Sequence, residues 1–308
     1  MQAQQAAQLG RYPAAKRVIA HVSDTHLLQG GARLGGVADT VRALHQAVEQ
    51  LSRLGDRLDA IVVTGDVTDL GEPDAYRLVR AALDPLAAST GAALIWVIGN
   101  HDERPVFRRE LLGEAPSETP THRAVTIGGL RVVVLDTSVP GYHHGALDAA
   151  SLEWLDRVLA EPAPEGTMLA MHHAPIPTPL PLMDVLELRG QDELADVIRG
   201  RGVRHILGGH LHYATNGMFA GIPVSVAGAI AYTMDLSAPP RDLVGVDGGR
   251  SFTLVHLFDD AVVTSVVPLG PFPVVTHLGE AFLTEIEQLP PAGRIERFSR
   301  KPTSPVAE

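Results

Sequence analysis

Val97-Ile98-Gly99-Asn100-His101-Asp102 is the stretch whose reading decides the fold. The apolar run 93–98 stops at a glycine and hands over to an amide, an imidazole and a carboxylate. An apolar run of that length ended by Gly reads as a buried strand entering a loop. In open α/β sheets, ligands sit beyond the carboxyl ends of the strands. The same grammar recurs at four other places. Val18–Val22 runs into Ser23-Asp24-Thr25-His26, and Ala60–Val63 into Thr64-Gly65-Asp66-Val67-Thr68-Asp69. Met168–Met171 runs into His172-His173, and Ile206-Leu207 into Gly208-Gly209-His210-Leu211-His212. Every run delivers Asp, Asn or His at its end, the pattern of a metal site assembled at one edge of a sheet.

The spaces between these runs predict helices. Apolar residues at 37, 41, 44, 48, 51 and 54 have helical spacing, and Gly55 ends that segment. Pro73 starts a second helix that runs to about Ala88. The β-α-β-α-β order this creates predicts an α/β fold with parallel strands and right-handed crossovers. Farther on, 124–127 and 130–135 flank Gly128-Gly129 and predict a hairpin. Helices are predicted around Leu152–Leu159 and over Gln191–Ile198. The alternating prolines 175, 177, 179 and 181 predict a stiff loop. The runs 222–226, 252–258 and 261–267 predict antiparallel strands that complete a second sheet, and 281–289 a short amphipathic helix.

Composition narrows the chemistry. The 308 residues are 45% apolar and 20% charged, enough for a sizeable core. There is no cysteine, so any metal must be held by nitrogen and oxygen donors. The formal charge of -11 and the lack of a basic, aromatic strip argue against a nucleic-acid partner. No run approaches the ~20 apolar residues of a membrane span, and residues 1–16 lack the apolar segment of a signal peptide. A cytoplasmic protein is expected. Residues 1–16 are expected to be a flexible leader, 17–270 the catalytic domain, and 271–308 an extension disordered from Pro290 onward. Arg294, Arg297, Arg300 and Lys301 offer weak peripheral attachment to a membrane, or are simply solvated.

The strand ends supply seven candidate ligands: Asp24, His26, Asp66, Asn100, His172, His210 and His212. In an extended chain i and i+2 point the same way, so Asp24/His26 and His210/His212 can each clamp one ion. If Asp66 bridges, Asp24, His26, Asp66 and His212 hold one ion, and Asp66, Asn100, His172 and His210 the other. Mixed imidazole and carboxylate donors suit Fe, Mn or Zn better than Mg or Ca. Two divalent ions against two carboxylates leave a cationic site ready for a phosphate. Ions about 3.5–4 Å apart lower the pKa of a water between them and clamp an in-line displacement at phosphorus. A bridging hydroxide is then the nucleophile. His101 is the candidate acid for the leaving alkoxide, and Asp69 either orients it or caps the helix that Pro73 begins.

Together, Asp24-Thr25-His26, Gly65-Asp66-Val67-Thr68-Asp69, Gly99-Asn100-His101-Asp102, His172 and Gly209-His210-Leu211-His212 resemble the five blocks of the calcineurin-like metallophosphoesterases. The chain is similar in particular to bacterial class III cyclic nucleotide phosphodiesterases. The resemblance implies a four-layer αββα sandwich with two mixed β-sheets, a dinuclear Fe/Mn-type centre and a homodimer. It also implies hydrolysis of 3',5'- or 2',3'-cyclic nucleotides and other small phosphodiesters. It places His143, in the loop 139–145, in contact with substrate beside Asn100 and His101. A glycerophosphodiester or broad-specificity phosphoesterase, and a non-catalytic scaffold of the same fold, are the alternatives.

Overall fold

Two sheets, rather than one, carry the ligand-bearing strands. The structure is a computed structural model and describes residues 8–301. In the first sheet β1 (Arg17–Val22), β2 (Ala60–Thr64) and β3 (Ala93–Val97) run parallel. They are joined by α1 (Thr40–Ser52) and α2 (Pro73–Thr90). Helix α1 starts later than its apolar periodicity suggests, because the Asp39 carboxylate accepts from the Arg42 backbone N–H and caps it there. Helix α2 has Pro73 in its first turn and closes on Gly91 at φ 73°, a left-handed position that suits glycine.

The second sheet begins with the predicted hairpin, β4 (Arg123–Ile127) and β5 (Leu130–Leu135). Next come β6 (Thr167–His173) and β7 (Val203–Gly209), parallel to β5 and fed by α3 (Ala149–Leu159) and α4 (Gln191–Ile198). A second hairpin, β8 (Thr215–Phe219) and β9 (Ile222–Val226), completes it in the order β8-β9-β7-β6-β5-β4.

The late runs do not join as expected. Strand β9 lies parallel to β7 in the second sheet. Strands β10 (Ser251–Leu257) and β11 (Val262–Pro268) return to the first sheet, in the order β11-β10-β1-β2-β3. Strand β10 covers the edge of β1 that would otherwise present unpaired backbone groups, and the half-polar β11 takes the exposed edge.

The layers follow the alternation of the strands. Ala20, Val22, Ile61, Val63 and Trp96 pack outward against α1 and α2. Val133, Leu135, Leu169, Met171 and Ile206 pack outward against α3 and α4. Between the sheets lie Ile19, Val62, Ile95 and Val97 from one and Val132, Val134, Met168 and Leu207 from the other. This is the expected four-layer αββα sandwich with two mixed sheets. Burying each such branched side chain is worth about 1.5–3 kcal/mol.

Contacts divide the chain into two units, Lys16–Gly270 and a second made of Met1–Ala15 with Pro271–Glu308. Residues 1–7 of the expected leader and 302–308 of the expected disordered tail lie outside the described residues. In the described part of the second unit, α5 (Glu280–Gln288) is followed by helical residues at 291–299. Pro291 opens that turn, and the Arg294 guanidinium donates to the carbonyls of Ile286, Glu287 and Leu289 at the end of α5. Arg297 pairs with Glu285 and lies over the Phe282 ring, and Arg300 pairs with Glu296. The tail cations proposed for membrane attachment are thus largely engaged within the unit. Among the described residues no helix is long and apolar enough to cross a membrane.

Two histidines are buried in the inner layer. His21, on β1, meets the Thr64 hydroxyl at 2.9 Å, and His205, on β7, meets the Ser225 hydroxyl at 2.9 Å. Burial pushes both imidazoles down from 6.5, to about 3 and about 4. The unfolded chain therefore takes up protons first. The stability these groups contribute is complete well above pH 6.5 and is lost as pH falls toward 4 for His205 and toward 3 for His21. At pH 5 the loss is about 2 kcal/mol for each. Thermal unfolding between pH 7.5 and 5 should show it, and His205→Gln should flatten the decline relative to wild type.

Candidate metal and phosphate site

The loops that follow β1, β2, β3, β6 and β7 converge, so the site lies where the carboxyl ends of two sheets face each other. Backbone bonds zip the first two loops together: Asp24 N–H donates to Gly65 O at 3.1 Å and His26 N–H to Asp66 O at 2.9 Å. The expected strand-type i, i+2 alternation is not what aims the side chains. Asp24, His26, Asp66, His210 and His212 instead have positive φ, between 42° and 71°. Ala220 and Arg241 are the other non-glycine residues of this kind among those described. Left-handed backbone costs a residue with a Cβ about 1–2 kcal/mol. Its concentration here turns each loop sharply, so that alternate residues both point inward.

Glycines allow the loops to close in. A Cβ on Gly65, where φ is 87°, would meet His172 Nδ1 at 2.6 Å. A Cβ on Gly99 would drive into the backbone and carboxylate of Asp66. Asp102 locks the pair of loops from below. Its buried carboxylate accepts from the N–H groups of Gly99, Val67 and Thr68 and from the Tyr76 hydroxyl. Burial and the Asp66 charge push it up to about 6, against those three backbone donors.

Asp24, His26, Asp66 and His212 form one cluster whose donor atoms lie within 4.8 Å of one another. His26 Nε2 is 3.0 Å from His212 Nε2 and 3.5 Å from Asp66 Oδ2, and His212 Nε2 is 3.4 Å from Asp24 Oδ1. His172 Nε2 lies 3.2 Å from Asp66 Oδ2 and 3.0 Å from Asn100 Oδ1. His210 stands beside it, ring centroids 5.0 Å apart. The structure therefore brings all seven candidate ligands together, with Asp66 between the two groups.

Hydrogen bonds fix the tautomers. His172 Nδ1 faces the Thr64 carbonyl at 2.7 Å and must carry the proton. In the neutral form its Nε2 lone pair points at a carboxylate oxygen and an amide oxygen, neither of which can donate. His26 Nδ1 donates to the Asp69 carboxylate at 2.9 Å, so its Nε2 also offers a lone pair inward. His210 Nε2 donates to the Leu186 carbonyl at 3.1 Å, which leaves Nδ1 free to face a cation. Lone pairs facing lone pairs in a buried site fit cations and little else. A proton can join the same atoms: burial lowers His172, but the charge and hydrogen bond of Asp66, with Asp24 behind it, hold it at about 9, so at neutral pH its Nε2 donates to Asp66 and a metal ion would have to displace that proton. Burial also opposes ionisation of Asp66, yet His172 and His26 hold it well below the carboxylate range.

His173 clusters with His172 and His210 but has both nitrogens occupied, by the Thr137 hydroxyl at 2.8 Å and the His143 carbonyl at 3.1 Å. It positions the 139–145 loop. That loop brings His143 Nδ1 within 2.9 Å of Asn100 Nδ2 and sets its ring 4.9 Å from the His101 ring. Asp69 does not cap α2, whose N-cap is Glu72. Its carboxylate holds His26, while its main-chain carbonyl holds His101 Nδ1 at 2.9 Å. Sequence reasoning missed Tyr232, whose ring centroid is 4.2 Å from that of His212. No spacing marks it. It arrives because the N–H groups of Ile230 and Ala231 donate to the carbonyls of Ser23 and Asp24.

The profile of the calcineurin-like phosphoesterases matches residues 17–214, the span that holds every one of these donors. The chain belongs to the calcineurin-like phosphoesterases. This phosphoesterase is 52% identical over 259 residues to a cAMP/cGMP dual specificity phosphodiesterase of Mycobacterium tuberculosis, across 84% of this chain and 81% of that protein. It is 33% identical to the 3',5'-cyclic adenosine monophosphate phosphodiesterase CpdA of Pseudomonas aeruginosa, across 80% and 91% of the two chains. Among solved structures it is similar in fold to a purple acid phosphatase from yellow lupin seeds, with a TM-score of 0.57 at 12% identity over 83% of this chain and 53% of that one. The phosphoesterase is a hydrolase, and its His and Asp clusters are suited to hold metal.

If Asp69 fixes the tautomer of His26, Asp69→Asn should weaken metal binding roughly 10- to 100-fold. Equilibrium dialysis against Mn should read this directly. Unchanged affinity would refute the role.

Proposed function

We propose that the protein is a dinuclear-metal phosphodiesterase that hydrolyses cyclic nucleotides and other small phosphodiesters. The observation that carries this is the paired donor set around Asp66, its lone pairs directed inward, with Asn100, His101 and His143 grouped at its more exposed side. Asp24, His26, Asp66 and His212 would hold one ion, and Asp66, Asn100, His172 and His210 the other. Iron or manganese fits this nitrogen and oxygen set, with zinc next. Two such ions would activate water and neutralise the phosphate. The relatives named for cAMP and cGMP support the substrate class.

The chain's own residues account for the rest. Hydrolysis of a 3',5'-cyclic diester adds water to phosphorus, breaks the P–O3' bond and leaves a 5'-monophosphate and a 3'-hydroxyl. The departing oxygen needs a proton. His101 Nδ1–H is anchored on the Asp69 carbonyl, so in the imidazolium form the second proton sits on Nε2, the atom free to deliver it. Asn100 and His143, held to each other, are positioned to bind the phosphate oxygens. We further read the protein as a cytoplasmic homodimer, where cyclic nucleotides are available to it.

His101→Ala should lower kcat/KM for cyclic AMP by about 100-fold or more. A p-nitrophenyl diester, whose leaving group needs no proton, should lose far less, and equal losses would overturn the acid role. Elemental analysis should find about two ions per chain, a stoichiometry set by the two donor groups. Chelation should abolish turnover and Mn should restore it, in a preparation that elutes as a dimer from a sizing column. Faster turnover of glycerophosphodiesters or monoesters than of cyclic nucleotides would overturn the substrate class. A folded, metal-free and inactive protein would establish the scaffold reading instead.

A further inference from the structure

A groove opens beside the site with no role in the chemistry above. It is lined by Leu34, Val37, Ala38, Tyr232, Val246 and Asp247 and encloses about 290 Å³. That is close to the lower end of small-molecule sites, roughly 300–1,000 Å³, so it suits a nucleoside-sized group rather than a polymer. Its floor touches the ligand set, because the Tyr232 ring centroid lies 4.2 Å from that of His212 and 6.2 Å from that of His26. Gly245 lets the backbone come close to the tyrosine ring, since a Cβ there would meet its ring carbons at 2.7 and 2.8 Å. One wall is a tight turn closed by reciprocal bonds between Leu34 and Ala38, at 2.9 and 3.0 Å.

The wall chemistry is unlike that of the metal site. Val37 and Val246 are 61% and 39% exposed, branched apolar side chains left in water at the mouth of a polar centre. Asp247, paired with Arg250, puts a carboxylate at the rim. A flat heteroaromatic ring satisfies all three features: apolar faces against the valines and Leu34, π-contact with Tyr232, and N–H groups for the carboxylate. A larger groove of about 380 Å³, at Leu180, Leu182, Val185 and Leu243, is lined by none of the seven donors.

We propose that the Tyr232 groove is the subsite for the purine base of a mononucleotide substrate. The proposal rests on the phosphodiesterase reading and adds to it where the non-reacting end of the substrate docks. The test compares cyclic AMP with its baseless counterpart, 1-O-methylribose 3',5'-cyclic phosphate, on the metal-loaded full chain. Val37→Glu and Val246→Glu place charge in the groove at exposed positions where folding is tolerant. Each should raise KM for cyclic AMP with little change in kcat. The ratio of kcat/KM for the two substrates should fall about tenfold. Val37→Ile, which keeps the apolar wall, should preserve the wild-type ratio. An active wild type whose ratio is unmoved by either glutamate overturns the subsite alone. A wild type that turns over neither substrate overturns the phosphodiesterase reading and the subsite with it.

Discussion

The Asp66 carboxylate is the contact on which the rest of the structure depends. One oxygen accepts from the His101 backbone at 2.9 Å and holds the β3 loop. The other faces His26 at 3.5 Å and His172 at 3.2 Å, one imidazole from each sheet. This geometry exists only because Gly65 and Gly99 have no side chain to keep the loops apart. It is tolerable only because the surrounding nitrogens offer something for a cation to join. A buried carboxylate facing imidazole lone pairs would otherwise be an expensive arrangement.

Backbone strain is concentrated at the same place. Five of the candidate ligands sit in left-handed conformations, directly after the strands that carry them. Such conformations persist when the surroundings over-determine them. Here the surroundings are the zipped 24–27 and 65–67 backbones, the Asp102 carboxylate with its four donors, and the inter-sheet core directly beneath. The sandwich supplies rigidity, and the loops use it to hold donors where unsupported chain would not.

Much of this was legible in the sequence. The seven donors, with the strands β1 and β3 that lead to them, could be read from apolar runs that stop at polar residues. What was not legible is non-local. No spacing says that β10 and β11 return to β1, since pairing across more than 200 residues leaves no local mark, or that β9 lies parallel rather than antiparallel to β7. For the same reason the site was expected at one sheet edge and lies between two. Tyr232 was invisible because it is placed by two backbone bonds to 23–24. Asp69 was ambiguous because its carboxylate and its carbonyl serve different histidines. The helical turn at 291–299 was hidden by a composition typical of disorder, which took no account of Arg294 capping the helix before it.

The placement of the donors on two sheets has a mechanical consequence. Asp24, His26, Asp66 and Asn100 move with one leaf of the sandwich, and His172, His210 and His212 with the other. The distances that matter to the chemistry are therefore measured across the seam. Any slip of one leaf over the other is transmitted to those distances. The side chains that set the seam, from Ile19 and Val62 to Met168 and Leu207, touch no substrate. They nevertheless act as the shims of the reacting centre, so a change of one methylene in that layer is a change in the gauge of the site.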